Sequence, residues 1–126
     1  MSFPKNFMWG ASSSSAQIEG AYDVDGKGLT TWDYDKKRIN PGCCSFKYAS
    51  DFYHHYKEDI ALMAEMGFKM FRMSISWARI LPDGESDVNP EGIKFYKDVF
   101  KECHKYGIEP LVTIYHFDLP AALEEK

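Results

Sequence analysis

The feature that most restricts this chain is a hydrophobic pattern that changes period and then changes back. Phe52, Tyr56, Ile60 and Met63 recur at helical spacing, which predicts a helix capped at Ser50, with Asp51 in its first turn and Gly67 at its stop. From Lys69 to Trp77 the period falls to two. Phe71, Met73, Ile75 and Trp77 share one side and Arg72, Ser74 and Ser76 the other, the signature of a strand with a polar face. The helical period returns at Asn89-Pro90-Glu91, a cap, a first-turn proline and an N-terminal acid. It runs through Ile93, Tyr96, Phe100 and Cys103 to Gly107. Pro110 to Tyr115 is an apolar, β-rich run, and a third helix begins at Ala121.

At the N-terminus, Phe7 to Ala11 reads as a further short strand, continued by the serines at 12 to 15. Strands alternating with helices specify a parallel sheet covered by helices, either a closed (β/α)8 barrel or an open doubly wound sheet. Central strands of an open sheet are apolar on both faces, whereas a barrel strand can carry polar groups inward toward a site at its C-terminal end. Here Gln17 and Glu19, Arg72 to Ser76, and His116 to Asp118 all fall at or near strand C-terminal ends. Neither glycine-rich phosphate-binding pattern follows the first strand. The α/β reading is therefore the (β/α)8 TIM barrel. Between Gly20 and Phe46 lies a long loop with turn chemistry at Asp25-Gly26 and Asn40-Pro41-Gly42. Its residues Tyr22, Leu29, Trp32 and Tyr34 are expected to anchor it in order.

Charge narrows the partners. Fifteen Lys and Arg are scattered among nineteen Asp and Glu for a net charge of −4, so no basic stripe offers itself to nucleic acid. Met1 to Asn6 has no charged region followed by an apolar run, and no stretch reaches the ~18 apolar residues a membrane span needs. A soluble, cytoplasmic protein is expected, with no membrane partner. The 126 residues, 44% hydrophobic and 16% aromatic, hold one domain at most, with apolar material enough for a core. Three cysteines, with Cys43 and Cys44 adjacent, write neither a disulfide framework nor a zinc knuckle, and Cys103 falls on the apolar stripe of its helix.

Among the polar residues Arg72 is the most telling. A guanidinium on an inward strand face cannot shed its charge and demands a carboxylate. That carboxylate is either a structural partner, Glu19 or Asp118, or a catalytic group that Arg72 orients. Gln17 and His116 offer the mixed donors and acceptors that hydroxyl-rich ligands need, although each alone is more often a satisfied core residue. Trp9 and Trp77 can stack on sugars, but packing is the commoner role of such aromatics. His54, His55, Glu58 and Asp59 have metal-ligand spacing without the HExxH order, so no metal site and no cofactor is assigned. Glu19 and Asp118 form a glycosidase pair by residue type alone, which is too little in a chain with nineteen acids.

Several segments, in order, match one family. The stretch FMWGASSSSAQIEGA from Phe7 to Ala21 closely resembles the N-terminal signature of glycoside hydrolase family 1, the β-glucosidases and 6-phospho-β-glycosidases. Asp25 to Gly28 with Trp32-Asp33, the run YHHYKEDI from Tyr53, FRMSISWARI from Phe71 and YHFDLP from Tyr115 resemble successive family segments. Jointly these motifs are highly specific and cover essentially the whole chain.

The resemblance implies that Gln17 and His116 hydrogen-bond the hydroxyls of the glycone and that Arg72 sits beside the nucleophile carboxylate. It implies that the serines are the small-residue end of the first barrel strand, and it gives Glu19 no catalytic role. Phe117 stands where many members carry Trp, a variation frequent among phospho-glycosidases, which hints at a phosphorylated substrate. The partner is thus a small saccharide or phosphosaccharide, and the oligomeric state is left open. The family's acid/base Glu lies in an Asn-Glu-Pro segment and its nucleophile in a Glu-Asn-Gly segment; neither occurs in these 126 residues. A whole barrel takes about 250 residues, so residues 1–126 are expected to supply about the first three strand–helix units, to lack both catalytic Glu, and to be inactive alone. The alternative is a truncated protein that binds sugar, or a partner half-barrel, without chemistry.

Overall fold

The computed structural model describes residues 2–34 and 45–124. Asn40-Pro41-Gly42, Cys43 and Cys44 lie outside the described residues. In chain order the elements are β1 (Gly10–Ser12), α1 (Ser15–Ile18), α2 (Thr31–Tyr34), α3 (Phe52–Glu65), β2 (Met70–Ser74), α4 (Trp77–Ile80), α5 (Pro90–Lys105), β3 (Glu109–Thr113) and α6 (Ala121–Glu124). The strands form one parallel sheet in the order β1-β2-β3. Register runs from Gly10 opposite Met70 to Ser12 opposite Arg72, and from Met70 opposite Glu109 to Ser74 opposite Thr113. Parallel neighbours require crossovers, and the two long helices α3 and α5 provide them.

The alternation read from Lys69 to Trp77 is realised only over Met70–Ser74: the strand ends there, Ser76 takes a cap position, and Trp77 opens α4 instead of extending the strand. Phe71 and Met73 are buried among Phe52 and Ile60 of α3 and Phe95, Val99 and Cys103 of α5, while Arg72 and Ser74 belong to the opposite face. Helix α5 starts as its sequence dictates, with Asn89 Oδ1 accepting a hydrogen bond from Glu91 N at 3.2 Å. Gly92 lets α5 pass close over α4, because a Cβ there would stand 2.1 Å from the Arg79 carbonyl oxygen.

Three local expectations are corrected. Strand β1 begins at Gly10 rather than Phe7, because its ladder with β2 covers only Gly10 to Ser12. The serine run does not stay extended: Ser13 N still donates to Arg72 O, but the chain then coils, with Gln17 N and Ile18 N both donating to Ser14 O. Ser50 does not cap α3. Its hydroxyl donates to Ile18 O at 3.2 Å, and Asp51 takes the cap position with a left-handed backbone at φ 55°.

The loop after β1 is ordered over its described parts; of the residues expected to anchor it, Trp32 donates to Phe117 O and Tyr22 meets Tyr48 edge-on, while the Tyr34 side chain lies outside the described residues. Thr30 bridges Pro120, Thr31 N donates to Leu119 O, and Ala121 N donates to Leu29 O. Leu29 itself stays exposed. No helix among the described residues is long and apolar enough to cross a membrane.

Candidate functional site

The C-terminal ends of the three strands meet in one buried hydrogen-bond chain. Ser15 N donates to Ser74 Oγ at 2.8 Å, the Ser74 hydroxyl donates to Ser15 Oγ at 3.1 Å, and the Ser15 hydroxyl donates to Asp118 Oδ2 at 2.9 Å. Ser15 opens α1, Ser74 ends β2 and Asp118 follows β3, so one chain of four polar groups ties all three strand ends together. Burial pushes the Asp118 carboxyl above its ordinary range, against the pull of the Ser15 hydroxyl.

The sequence-predicted residues sit around this hub. Gln17 is exposed on α1, and Ser14 Oγ donates to its Oε1 at 3.0 Å. Arg72, half-buried on β2, donates from Nε to Thr113 Oγ1 on β3 at 2.8 Å. Among the described residues no carboxylate lies within ion-pairing distance of Arg72. His116 is half-buried two residues before Asp118, with its ring edge-on to Phe117 at 5.5 Å between centroids. Phe117 holds a left-handed backbone at φ 64°, a strained state for a bulky residue, and its carbonyl accepts from Trp32 Nε1 at 2.8 Å.

Glu19 and Asp118, the structural partners weighed for Arg72, are engaged elsewhere. Glu19 Oε2 accepts from Arg79 Nε at 3.0 Å, and Glu19 Oε1 accepts from the Tyr96 hydroxyl at 2.6 Å. Arg79, 1% exposed, also donates from Nη2 to Gly20 O at 3.2 Å and Ala21 O at 3.3 Å and lies 4.3 Å from the Tyr53 ring centroid. Burial drives the Glu19 carboxyl upward while the Arg79 charge and the Tyr96 hydroxyl hold it down. A neutral Glu19 would strand a permanent cation in the interior, so the ionised pair is the reading consistent with the cost of an isolated buried charge. Sequence reasoning missed Arg79. The available signal was one Arg inside an otherwise apolar stretch, Trp77 to Leu81.

A second polar cluster flanks the first. Lys27 Nζ pairs with Asp33 Oδ2 at 3.1 Å, and that oxygen also accepts from Thr30 N at 2.7 Å and Thr30 Oγ1 at 2.8 Å. Between the clusters is a cavity of about 20 Å³ lined by Ser15, Glu19, Lys27, Asp33, Ser76 and Asp118 together with Trp32 and Phe46, among others. It has room for a water and none for a sugar ring. A larger groove of about 440 Å³ beside β3 is lined by Ile75, Trp77, Ile80, Leu81, Ile114 and Tyr115, among others, and lacks the polar groups a saccharide needs.

The remaining candidates separate. Trp9 precedes β1, at the sheet's other end, and clusters with Phe3 and Phe7 at centroid distances of 4.7 Å, so it packs rather than lining the strand-end mouth. Trp77 donates to Gly84 O at 3.2 Å and meets Tyr115 edge-on. His54 Nδ1 lies 2.7 Å from Asp51 Oδ1, while His55 faces Glu58 at 3.4 Å. No group of three or more metal-ligating side chains forms among the described residues. Cys103 is buried in the core.

The sequence profile of glycosyl hydrolase family 1 matches residues 1–126. The chain belongs to glycosyl hydrolase family 1. Beta-glucosidase 7 of Arabidopsis thaliana is 49% identical over 124 residues, covering 98% of this chain and 24% of that protein. The 6-phospho-beta-glucosidase of Clostridium longisporum is 48% identical over 134 residues, covering all of this chain and 28% of the relative. The structure superposes on a family 1 β-glucosidase from Thermotoga maritima, solved in complex with castanospermine, with a TM-score of 0.91 at 41% identity. That superposition covers 98% of this chain and 28% of the other. Family 1 membership makes the three-stranded unit part of a (β/α)8 barrel, and the strand-end hub part of the face where such barrels carry their sites. The chain spans about a quarter of the length of these relatives.

Proposed function

We propose that residues 1–126 carry part of the glycone-binding face of a retaining β-glycosidase that acts on β-glucosides or their 6-phosphates. The observation that carries this is the Arg72 guanidinium, fixed on the sheet by Thr113 with no carboxylate beside it among the described residues. A guanidinium midway along β2, without a counter-charge among the described residues, fits a nucleophile supplied by another segment. In a retaining mechanism one carboxyl group protonates the leaving oxygen and a carboxylate attacks the anomeric carbon, after which water releases the sugar. On this reading both carboxylates come from outside these 126 residues, Arg72 holds the nucleophile ionised and oriented, and Gln17 and His116 take glycone hydroxyls.

Relatives of both substrate types match the chain at similar identity. Phe117 favours the phosphorylated class. Such a charged sugar does not cross a bilayer unaided, and the proposed place of action is accordingly the cytoplasm.

The test compares the isolated 126-residue chain with its native gene product on aryl β-glucosides with and without a 6-phosphate. Turnover by the native product and none by the isolated chain is expected, with the ratio of the two kcat/KM values naming the substrate class. Cleavage by the isolated chain contradicts the reading. Saccharide binding without turnover by the native product favours a non-catalytic sugar-binding protein.

A further inference from the structure

Asp118 joins the two segments bearing the proposed sugar contacts. Its Oδ2 accepts from Ser15, two residues before Gln17, and its Oδ1 faces the backbone N–H of His116 at 3.4 Å. Through Ser15 it also reaches Ser74, two residues after Arg72 on β2. Both carboxylate oxygens are thus used, on two loops that sequence separates by about a hundred residues. Neither Gln17 nor His116 is fixed as well by its own contacts. Gln17 has one side-chain hydrogen bond, from Ser14 on the same turn. No hydrogen-bond partner for a ring nitrogen of His116 stands among the described residues. Their spacing depends on the backbones that carry them, and those backbones are joined at Asp118.

We propose that Asp118 is a positioning residue: with Ser15 it sets the separation between the Gln17 turn and the His116 segment, and so the register of the glycone between them. The proposal rests on the glycosidase reading above. It makes Asp118 neither a catalytic acid nor a sugar ligand, since its oxygens are buried and already engaged. It also gives Ser15 a task, because a small hydroxyl residue there can accept from Ser74 and donate to Asp118 at once.

The experiment is a double-mutant cycle on the native gene product, reading kcat/KM on an aryl β-glucoside and its 6-phosphate together with calorimetric binding of glucose and glucose 6-phosphate. Ser15→Ala and Asp118→Ala are each made in the parent and in a Gln17→Ala background. Each substitution is expected to lower kcat/KM about 10- to 100-fold in the parent, as a sub-ångström to ångström misplacement does. In the Gln17→Ala background much of that loss should vanish, because the group being positioned is gone. Asp118→Asn should restore part of the activity: its carbonyl oxygen can accept from His116 N while its amide donates to Ser15 Oγ, at the loss of the acceptor for the Ser15 proton.

Equal losses in both backgrounds would mean a merely structural role and overturn the proposal. So would an Asp118→Asn as poor as Asp118→Ala. If Asp118→Ala does not fold, Ser15→Ala, which removes a single oxygen, carries the same comparison. A parent protein that binds sugar without cleaving it gives the same cycle in dissociation constants. A parent that does neither overturns the glycosidase reading and this inference with it, whereas an active parent with additive substitutions overturns this inference alone.

Discussion

Arg79 holds the chain that leaves the Gln17 turn. Its guanidinium gathers the Glu19 carboxylate and the carbonyls of Gly20 and Ala21, and its Nη1 is buried without a partner among the described residues. Removing one member of such a pair leaves a buried uncompensated charge. We expect Arg79→Met to lower the unfolding free energy by about 3–5 kcal/mol, and the double substitution Glu19→Leu with Arg79→Met to recover much of it. Urea unfolding of the native gene product checks both, and a loss below about 1 kcal/mol for Arg79→Met would put the pair at the value of a surface bridge.

The sequence made Arg72 visible and left Arg79 unseen for one reason. Residue 72 stands in a clean alternation whose polar face is evident, whereas residue 79 lies in α4, a four-residue turn too short for any periodicity. Glu19 was seen, yet its partner is sixty residues away and only the packing of α4 under α5 brings them together. Gln17, Arg72 and His116 were legible as residues at or near strand ends, though Arg72 stands in mid-β2 and Gln17 on α1. The connection among them through Ser15, Ser74 and Asp118 was not, since no spacing encodes it.

Element α5 was readable at its start and end because its signals are local. Asn89 caps it, and its Nδ2 also donates to Asp25 O at 2.8 Å and Arg79 O at 3.0 Å. Asn89→Ala is therefore expected to cost about 1–2 kcal/mol, the upper part of the range for a lost cap, measured by chemical denaturation. The start of α3 was misread because Ser50 is drawn away by Ile18 O and Tyr53 N donates to Glu19 O, contacts made by the distant loop. The serine run, read as continuing the strand, coils instead because Ser74 Oγ on β2 accepts from Ser15 N.

On the same helix, burial pushes the Cys103 thiol up to about 11, above the value near 8.5 of an exposed thiol. The folded state thus holds this proton where the unfolded chain has lost it. Stability from this group is complete below the unfolded value and is lost as pH rises toward 11. Between those limits Tm should fall less in Cys103→Ala than in the parent. The Cys103 peptide should stay unalkylated by iodoacetamide in the native state at pH 8, as mass spectrometry of digests would show; rapid native labelling contradicts the buried placement.

Taken together, the described residues present a sheet with edges at β1 and β3 and an apolar flank. Leu111, Val112, Ile114, Tyr115 and Phe117 are exposed, Ile114 at 81%. Unpaired edges and apolar patches of this kind drive association, and the relatives are about four times as long as the segment they share with this chain. The isolated chain should accordingly self-associate, and Ile114→Lys should reduce that in sedimentation velocity. A monodisperse, cooperatively melting monomer of the unsubstituted chain would instead support a free-standing unit.

Gln17 and His116 are proposed to hold the glycone of a β-glycosidase. Steady-state hydrolysis of aryl β-glucosides, with and without the 6-phosphate, by the native gene product and its Gln17→Ala and His116→Ala variants tests it most directly. Turnover by the parent is expected, with a loss of about 100-fold or more in kcat/KM for each variant, the size expected when a site is left without a hydroxyl partner. Turnover unchanged by either substitution would contradict it.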